Sequence, residues 1–353
     1  MTRATRTSPT LANVAAAAGV SRQTVSNVIN TPGRVAPETR SRVQAAIETL
    51  NYRPNRVARS LRTRTSRLLG YCVQPAPVGM LNPVLDRFVH AITESAAEHG
   101  FHVLLFTAPA GAPGLDRYAE LLAQQAVDGF VLSDTVVGDP RHGWLTAHGV
   151  PFSAFGRTWT GEDQGAWVDV DGAAGIGQAV AHVHAAGHRR IGFLGWPDGS
   201  GVGDDRLAGY QAGCRRFGVA PLVVRTDGGI EAGRTAAGGL LDRPDPPSAL
   251  VCVSDLAAHG ALRAVTERGL RPGHDIAITG FDDTPSAALP GIELTSLSQP
   301  IEQVGRAVVR MVLGPLGAAG PPTPPAGAAP HQLFEPTLVI RSSSHPKDDG
   351  GST

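Results

Sequence analysis

Residues 10–30 read TLANVAAAAGVSRQTVSNVIN, and this stretch contains two helical patterns joined by a glycine. The apolar residues of the first pattern recur at helical spacing on one face: Leu11, Val14, Ala15 and Ala18. Gly19 predicts the end of this helix, because glycine adopts a left-handed backbone most easily. Ser21 predicts the start of the second helix, because its hydroxyl can accept a free backbone N–H of the first turn. The stretch therefore predicts a helix-turn-helix.

The second helix has an apolar side and a polar side. Its apolar residues are Val25, Val28 and Ile29, and its outward polar residues are Arg22, Gln23, Ser26 and Asn27. Such a polar side suits the major groove of DNA, since Arg pairs with the guanine edge and Gln or Asn pairs with adenine. A third helix is predicted from Pro37, with a buried stripe formed by Val43, Ile47 and Leu50. The alternative is an ordinary three-helix bundle whose polar face binds nothing.

The charge of the chain is divided unevenly. Residues 1–67 contain twelve Arg and no Lys against Glu38 and Glu48, which gives this segment a net charge of +10. Because the whole chain has a net charge of zero, the remainder carries −10. A basic module on an acidic body indicates contact with a polyanion. The alternative, a disordered basic tail, does not explain the helical periodicity of the segment.

Residues 51–66 read NYRPNRVARSLRTRTS and predict a hinge. Pro54 separates this segment from the third helix, and Asn55 can cap a short helix that runs to about Leu61. A helix of this length is marginal alone in water, so we expect it to form only on a surface. Its arginines would contact phosphates: Arg56, Arg59, Arg62, Arg64 and Arg67. Leu61 would wedge between base steps in the minor groove or pack against the hinge of a partner, and the two are compatible.

Residues 10–63 closely resemble the DNA-binding headpiece and hinge of the lactose-repressor (LacI/GalR) family. The resemblance continues to about Arg341. Its markers there are Asn82-Pro83, GHRRIGFLG at 187–195, RLAGY at 206–210, GFDD at 280–283 and TSLSQP at 295–300. One departure is Ala36, where relatives often have a Ser cap before the proline, and this should weaken the third helix slightly.

The resemblance implies a set of DNA contacts. Arg22, Gln23 and Asn27 lie at positions that read bases, and Leu61 matches the hinge leucine that opens the centre of a palindromic operator. The full predicted set is Thr10, Ser21, Arg22, Gln23, Thr24, Ser26, Asn27, Asn30, Arg34, Asn55, Arg56, Ala58 and Leu61. The predicted macromolecular partners are double-stranded DNA and a second copy of the chain, since no apolar heptads at the C-terminus predict a larger assembly.

Residues 68–345 alternate short apolar runs with helical patterns. The runs are RLLGYCV, FHVLLFT, GFVLSD, RRIGFLG, ALVCVSD and DIAITGF. Such alternation predicts doubly wound α/β sheets, in which ligands bind at the carboxyl ends of parallel strands. The resemblance implies two lobes of this kind, like those of a periplasmic binding protein, with a small-molecule effector in the cleft between them.

The predicted effector contacts combine polar residues that follow strands with positions implied by the resemblance: Asn82, Asp86, Arg157, Trp196, Arg206, Ser254, Asp282 and Gln299. Arg206 and Asp282 align with positions that hydrogen-bond a sugar or a base in relatives, and both groups suit vicinal hydroxyls. Trp196 would stack on the apolar face of a sugar. Ser254 stands where sugar-binding relatives often have Asn, which is a departure from the pattern.

Three of these residues have structural alternatives. Trp196 would pack on its own loop, Arg206 would pair with Asp204 or Asp205, and Asp282 would cap a helix. The effector also has alternatives, namely a nucleobase or a sugar phosphate held by Arg157 and Arg206. We expect a mono- or disaccharide that releases a repressor of carbohydrate-utilisation genes from a palindromic operator, while a ligand that acts as corepressor stays open.

The predicted organisation has four parts. The helix-turn-helix covers residues 8–53, the hinge helix and linker 54–67, the effector-binding and dimerisation body 68–345, and a disordered tail 346–353. Within the body, we expect the N-terminal lobe at about 68–167 and 299–327 and the C-terminal lobe at about 168–298 and 328–345.

An alternative from another class is a dinucleotide-binding dehydrogenase. The GxGxxG fingerprint lacks its third glycine after Gly175 and Gly177, and Gly201 and Gly203 run into two acidic residues. Three histidines cluster without an acidic ligand at metal spacing: His182, His184 and His188. We therefore expect no catalytic residue, no metal and no cofactor.

The remaining features predict a cytoplasmic protein. The cysteines are isolated, which indicates reduced thiols: Cys72, Cys214 and Cys252. The N-terminus has no apolar signal segment, and no apolar run reaches the roughly 20 residues of a membrane span.

Overall fold

The structure is a computed structural model that describes residues 9–53, 65–74, 82–109, 114–161, 164–317 and 331–344. The chain divides into two compact units, Met1–Ser66 and Arg67–Thr353. None of the helices in the described ranges combines the length and apolar character that a bilayer crossing needs.

The first unit contains three helices, α1 (Leu11–Ala18), α2 (Arg22–Asn30) and α3 (Pro37–Thr49). Thr10 and Asn13 form a capping box at the start of α1, and Gly19 ends α1 in the left-handed conformation at φ 61°. Ser21 Oγ accepts the backbone N–H of Thr24 at 3.1 Å and so caps α2. The predicted helix-turn-helix is confirmed.

The core of the first unit consists of eight buried side chains from all three helices and the segment after them: Val14, Ala15, Ala18, Val25, Val28, Val43, Ala46 and Tyr52. α3 begins at Pro37, and its N-cap Ala36 offers no side-chain hydrogen bond. The first turn of α3 therefore lacks the satisfied N–H that α1 and α2 both have.

The second unit contains two six-stranded sheets. The strands of the first are β1 (Leu68–Val73), β2 (His102–Thr107), β3 (Gly129–Leu132), β4 (Phe152–Phe155), β5 (Ala166–Val170) and β11 (His331–Phe334). They lie in the order β11-β5-β4-β3-β1-β2, and every neighbouring pair is parallel. The helices of this lobe are α4 (Pro83–Glu98), α5 (Leu115–Ala123), α6 (Pro140–Ala147) and α11 (Ile301–Leu313).

The strands of the second sheet are β6 (Ile191–Gly195), β7 (Leu222–Arg225), β8 (Ala249–Cys252), β9 (Ala277–Asp282), β10 (Thr295–Ser298) and β12 (Thr337–Val339). They lie in the order β12-β10-β9-β8-β6-β7, and β12 runs antiparallel to β10. The helices of this lobe are α7 (Gly172–Ala185), α8 (Gly201–Phe217), α9 (Ile230–Leu241) and α10 (Asp255–Glu267). The predicted class, a helix-turn-helix joined to two α/β lobes with largely parallel sheets, is confirmed.

Two crossovers between the lobes were predicted too early in the chain. β5 stays in the first sheet through Val170, which pairs with Phe334 of β11. The first and last crossovers therefore follow Val170 and Phe334, and not residues 167 and 327. The reason is that β5 and β11 satisfy each other's backbone groups, and this long-range pairing leaves no local signal in the sequence.

The strand order places the predicted ligand-binding residues at one edge of the sheets. In the second sheet β6 lies between β7 and β8, so the order reverses beside β6. Trp196 directly follows β6, Ser254 follows β8 after one residue, and Asp282 is the last residue of β9. The carboxyl ends of strands at such a reversal form a crevice, where ligands bind in open α/β sheets.

Candidate functional sites

The polar residues of α2 lie on the side of the helix away from the core. Arg22 and Gln23 are exposed and Asn27 is half-buried, while Val25 and Val28 are packed in the core of the unit. The helix therefore presents polar groups outward and is held by its apolar side.

Hydrogen bonds already occupy part of this polar surface. Gln23 Nε2 donates to Asn27 Oδ1 at 3.0 Å, one helical turn away. Ser21 Oγ lies 2.9 Å from Thr24 Oγ1 in addition to capping α2, and Thr10 Oγ1 donates to Asn13 Oδ1 at 2.6 Å. Thr10 and Ser21 thus act as helix caps in the structure.

Two further predicted DNA contacts lie at the end of α2 and just beyond it. Arg34 is exposed at the end of the short 3-10 turn Pro32–Arg34, and Asn30 is the last residue of α2. Four predicted hinge contacts lie outside the described residues: Asn55, Arg56, Ala58 and Leu61.

In the second unit, Arg206 of α8 is buried at the carboxyl ends of the strands. It is 5% exposed, its Nη1 donates to the carbonyl of Val253 at 2.6 Å, and its guanidinium carbon lies 3.6 Å from the ring centre of Phe281. Its Nη2 lies 3.7 Å from Asp282 Oδ1. Burial lowers the pKa of Arg206 against the opposing pull of Asp282. Its buried Nε has no hydrogen-bond partner among the described residues.

The alternative pairing of Arg206 within α8 is not what the structure contains. Asp204 binds Arg225 at 2.9 Å, and Asp205 lies 3.3 Å from Arg157. Arg206 thus points to the strand ends, where it meets Asp282.

Asp282 combines an unusual backbone with a perturbed carboxyl. Its φ is 109°, a region that non-glycine residues rarely adopt and that is found mainly at functional sites. It accepts a hydrogen bond from Gln299 Nε2 at 2.8 Å. Burial raises its pKa to about 7, although the charge of Arg206 acts in the opposite direction. The contacts of this carboxylate are the bond from Gln299 and the nearby Arg206, and no helix-capping bond from it occurs among the described residues.

A second group connects the two lobes and is called the interlobe bridge: Arg157, Trp159, Gly201 and Asp205. Arg157 follows β4, and its guanidinium stacks on the Trp159 ring at 4.0 Å. Its Nε binds Asp169 of β5 at 2.7 Å, while its Nη2 reaches Asp205 of α8 in the other lobe. Trp159 lies flat on Gly201 at the start of α8, so that a side-chain carbon at Gly201 would collide with the ring. The buried Nε1 of Trp159 has no partner among the described residues.

Ser254 caps a helix, and its neighbour Asp255 accepts three hydrogen bonds. Ser254 Oγ accepts the backbone N–H of Ala257 at 3.3 Å and caps α10. Asp255 accepts the N–H and hydroxyl of Thr284 at 2.7 and 2.8 Å and the hydroxyl of Ser296 at 2.5 Å. Burial raises the pKa of Asp255, and its hydrogen bonds oppose that shift.

Trp196 shows features of both of its predicted roles. It packs against the core of its lobe, and its carbonyl accepts a hydrogen bond from Arg225 at 2.9 Å. The ring centre nevertheless lies 5.2 Å from the guanidinium carbon of Arg206. The loop is thus fixed, with the indole beside the buried arginine.

The contacts of Asn82 and Asp86 stay within α4. Asn82 Oδ1 accepts the N–H of Leu85 at 3.2 Å, and Asp86 lies 3.9 Å from His90. The structure therefore places Asp282 beside both Arg206 and Gln299, whereas the side chains of Asn82 and Asp86 make their contacts at the start of α4.

Sequence reasoning missed four side chains of these groups: Trp159, Asp169, Asp205 and Asp255. Two of them were within reach, because Asp205 and Asp255 directly adjoin the predicted Arg206 and Ser254. Asp169 lies inside a strand, where a polar residue gives no sign that it binds Arg157 in the loop after the neighbouring strand β4.

The chemistry of the strand-end region is that of a polar, acidic binding site. Its charged groups are two arginines and four aspartates: Arg157, Arg206, Asp169, Asp205, Asp255 and Asp282. Each arginine lies beside an aromatic ring, Arg157 beside Trp159 and Arg206 beside Trp196. No cluster of metal-ligating side chains occurs within the described ranges. The site can therefore bind a neutral ligand with several hydroxyl groups.

Residues 10–55 match the family described as "Bacterial regulatory proteins, lacI family", and residues 180–344 match the "Periplasmic binding protein-like domain". The chain is similar to the "HTH-type transcriptional regulator CelR" of Thermobifida fusca, with 34% identity over 96% of this chain and 99% of that protein. Among solved structures, it is similar to a "transcriptional regulator CelR-cellobiose complex", with 33% identity, 95% and 99% coverage of the two chains and a TM-score of 0.69. It is also similar to the lac repressor dimer bound to operator and the anti-inducer ONPF, with 28% identity, 96% and 100% coverage and a TM-score of 0.81.

Proposed function

Because the chain belongs to the lacI family of bacterial regulatory proteins, we propose that it represses carbohydrate-utilisation genes from a palindromic operator and is released by a neutral sugar. The observation that carries the sugar assignment is the buried Arg206 beside Asp282, with an unpaired Nε, in an acidic strand-end site. A guanidinium and a carboxylate each make two directed hydrogen bonds, which matches vicinal hydroxyls.

The polar side of α2 supports the DNA-binding part of the proposal. Two headpieces in a homodimer would place two such helices in successive major grooves, so that the symmetry of the operator mirrors that of the protein. The thirteen predicted DNA contacts belong to this proposal, with Arg22, Gln23 and Asn27 as the base readers. The solved relative bound to operator is a dimer, which supports the same arrangement.

The charge of the site favours a neutral sugar over a sugar phosphate. Four aspartates face two arginines, and both arginines are already engaged by Asp169, Asp205, Asp282 and the carbonyl of Val253. A phosphate would bring a further negative charge next to these four carboxyl groups. The relative solved with cellobiose, a neutral disaccharide, supports the same choice.

The proposed mechanism is a shift between two arrangements of the lobes. A sugar that contacts Arg206 in one lobe and the Arg157 side of the other favours the closed cleft. Closure would move the points at which the two hinges join the body. The dimer would then no longer hold the hinges at the separation that suits the operator. Operator affinity then falls by a factor that is set by how much more tightly the ligand binds the closed form than the open form.

We also propose that the chain is not an enzyme and acts in the cytoplasm. The relatives named above are transcription regulators, and a protein that binds operators acts where the nucleoid lies. Five further residues complete the proposed effector contacts: Asn82, Asp86, Trp196, Ser254 and Gln299. Asn82 and Ser254 are helix N-caps, and we propose that they contact the effector from the start of their helices.

The test begins with thermal unfolding of the full chain against neutral mono- and disaccharides, cellobiose first, and then sugar phosphates and nucleobases. A ligand at 100 times its Kd adds about 2.7 kcal/mol to the free energy of unfolding. The ligand that stabilises the protein is then added to an operator-binding assay, with Asp282→Asn as the matched variant that should lose the response.

The outcomes separate the parts of the proposal. Weaker operator binding with the sugar supports release, whereas tighter binding would make the ligand a corepressor. Stabilisation by sugar phosphates alone would contradict the charge argument. Failure of the chain to enrich any DNA sequence would contradict the regulatory function itself.

A further inference from the structure

We infer that Gln23 and Asn27 act as one unit that reads a single adenine in each half of the operator. This inference rests on the proposed DNA-binding function and specifies the base that one part of α2 recognises. It is carried by the hydrogen bond between the two side-chain amides.

The bond holds the two amides in a fixed relation. Gln23 Nε2 donates to Asn27 Oδ1 at 3.0 Å across one turn of the polar side of α2. This bond leaves the Oε1 of Gln23 as an acceptor and the Nδ2 of Asn27 as a donor. If both amides are turned over, the roles exchange, and the pair again offers one acceptor and one donor. The recognition chemistry is therefore the same for either assignment of the amide atoms.

Only one base matches such a pair on its own major-groove edge. Adenine offers N7 as an acceptor and the N6 amine as a donor, whereas guanine offers two acceptors. Cytosine offers a donor alone, and thymine offers an acceptor beside a methyl group. A coupled Gln–Asn pair thus fits adenine and leaves one of its amide groups unpaired on any other base.

The rest of α2 holds the pair in place. Val25 and Val28 are 0% and 6% exposed and anchor the opposite side of the helix. Ser21 caps the first turn through the N–H of Thr24, which fixes the backbone that carries Gln23. Side chains ordered before binding lose less conformational entropy in the complex, so this arrangement favours joint recognition.

The first experiment selects operators from randomised palindromic duplexes with the full-length protein and three variants, Gln23→Ala, Asn27→Ala and the double variant. We expect the unsubstituted protein to select adenine at one position per half-site. Both single variants should lose that same preference, by about 10- to 100-fold in affinity. The operator affinity of the double variant should be no lower than that of the single variant that binds more weakly, because the two residues form one unit.

The second experiment tests the atoms on the selected operator. Replacing the adenine by 7-deazaadenine removes N7, and replacing it by purine removes the N6 amine. The unsubstituted protein should bind both altered operators more weakly, while Gln23→Ala and Asn27→Ala should be indifferent to either change. The matched control is Gln44→Ala, an exposed glutamine on α3, which should retain both the selected sequence and the affinity.

Three results would overturn the inference. These are loss of preference at two different positions with additive costs, loss at a guanine, or full tolerance of both adenine analogues by the unsubstituted protein. Failure to select any sequence would instead overturn the proposed function, and the two failures are therefore distinguishable.

Discussion

Among single residues, Asp282 is the one whose ionisation should control ligand affinity. An ionised carboxylate accepts hydrogen bonds from hydroxyls, and burial raises the pKa of Asp282 to about 7 in the free protein. Sugar binding should therefore strengthen as pH rises through about 7 and level off above it. One pH unit below that pKa, the affinity should fall about tenfold.

Calorimetric titration of the sugar across this pH range checks the prediction. Arg206 and Asp255 are the charged neighbours, and His259 packs beside Asp255 with a pKa that burial lowers. Asp282→Asn should bind weakly at every pH without the profile, and a profile that survives this substitution would assign the proton to another group.

His142 of α6 makes a second prediction, on stability. It is 1% exposed, its ring meets Phe152 edge-on with 5.5 Å between the centres, and burial lowers its pKa. The unfolded chain takes up a proton at this residue at about pH 6.5, whereas the folded chain takes it up only at a lower pH. This contribution to stability is thus complete above about pH 6.5 and is lost as pH falls below it, by up to about 1.4 kcal/mol per pH unit.

Urea unfolding of the natural chain and of His142→Leu, measured at several values of pH, isolates this term. The difference in stability between the two proteins should change with pH below about 6.5 and stay constant above it. Parallel curves over the whole range would mean that His142 gains its proton equally in both states.

At the residue scale, the sequence allowed prediction of the side chains that follow strands but not of their partners. Arg157 stands out because it is a charged residue just after a strand. Arg206 stands out because it lies near the start of a helix that follows a strand. Their contacts with Asp169 and Asp282 depend on which strands lie side by side, which is settled only in the folded sheets.

Among the helices, α3 has a defect that can be repaired. Its N-cap Ala36 makes no side-chain hydrogen bond, while the caps of α1 and α2 do. Ala36→Ser should stabilise the first unit by about 0.5–1 kcal/mol. Hydrogen exchange of the α3 amides should slow by about two- to fivefold.

The matched control is Ala45→Ser, an exposed change in the middle of the same helix. It should speed exchange slightly, because serine is a poorer helix former than alanine. Equal effects of the two substitutions would show that the change reflects serine itself and not the cap.

Among the strands, the long apolar runs were predictable and the short ones were not. The six quoted runs correspond to β1, β2, β3, β6, β8 and β9. Two of the strands without a quoted run, β11 and β12, lie at sheet edges with partly exposed side chains. Such strands depend on a distant partner more than on their own composition, which is why the lobe boundaries shifted.

For the whole molecule, the interlobe bridge predicts how a substitution between the lobes changes sugar affinity. Gly201→Ala would push a methyl group into the Trp159 ring and hold the lobes apart. Forced contacts of this kind cost about 1–3 kcal/mol, so sugar affinity should fall by about 5- to 100-fold. Operator binding without sugar should be retained, because the proposed DNA-bound form has the more open cleft.

The matched control is Gly177→Ala in α7, where an added carbon meets no atom within 4 Å. Both substitutions place alanine in a helix, so the difference between them reports the contact with Trp159. Calorimetry with the sugar and an operator-binding assay give the two readouts. Loss of operator binding by Gly201→Ala alone would contradict the assignment of the open form to the DNA complex.

The position of the aromatic rings has a further, optical consequence. All four tryptophans follow residue 67, while Tyr52 is the one aromatic residue of the first unit. Two of these indoles, Trp159 and Trp196, lie near arginine cations at the strand ends. Because indole emission responds to nearby charge, binding of a sugar at the proposed site should change the tryptophan fluorescence of the protein. The first unit has no tryptophan, so tryptophan fluorescence can follow ligand occupancy while labelled DNA reports operator binding in the same sample.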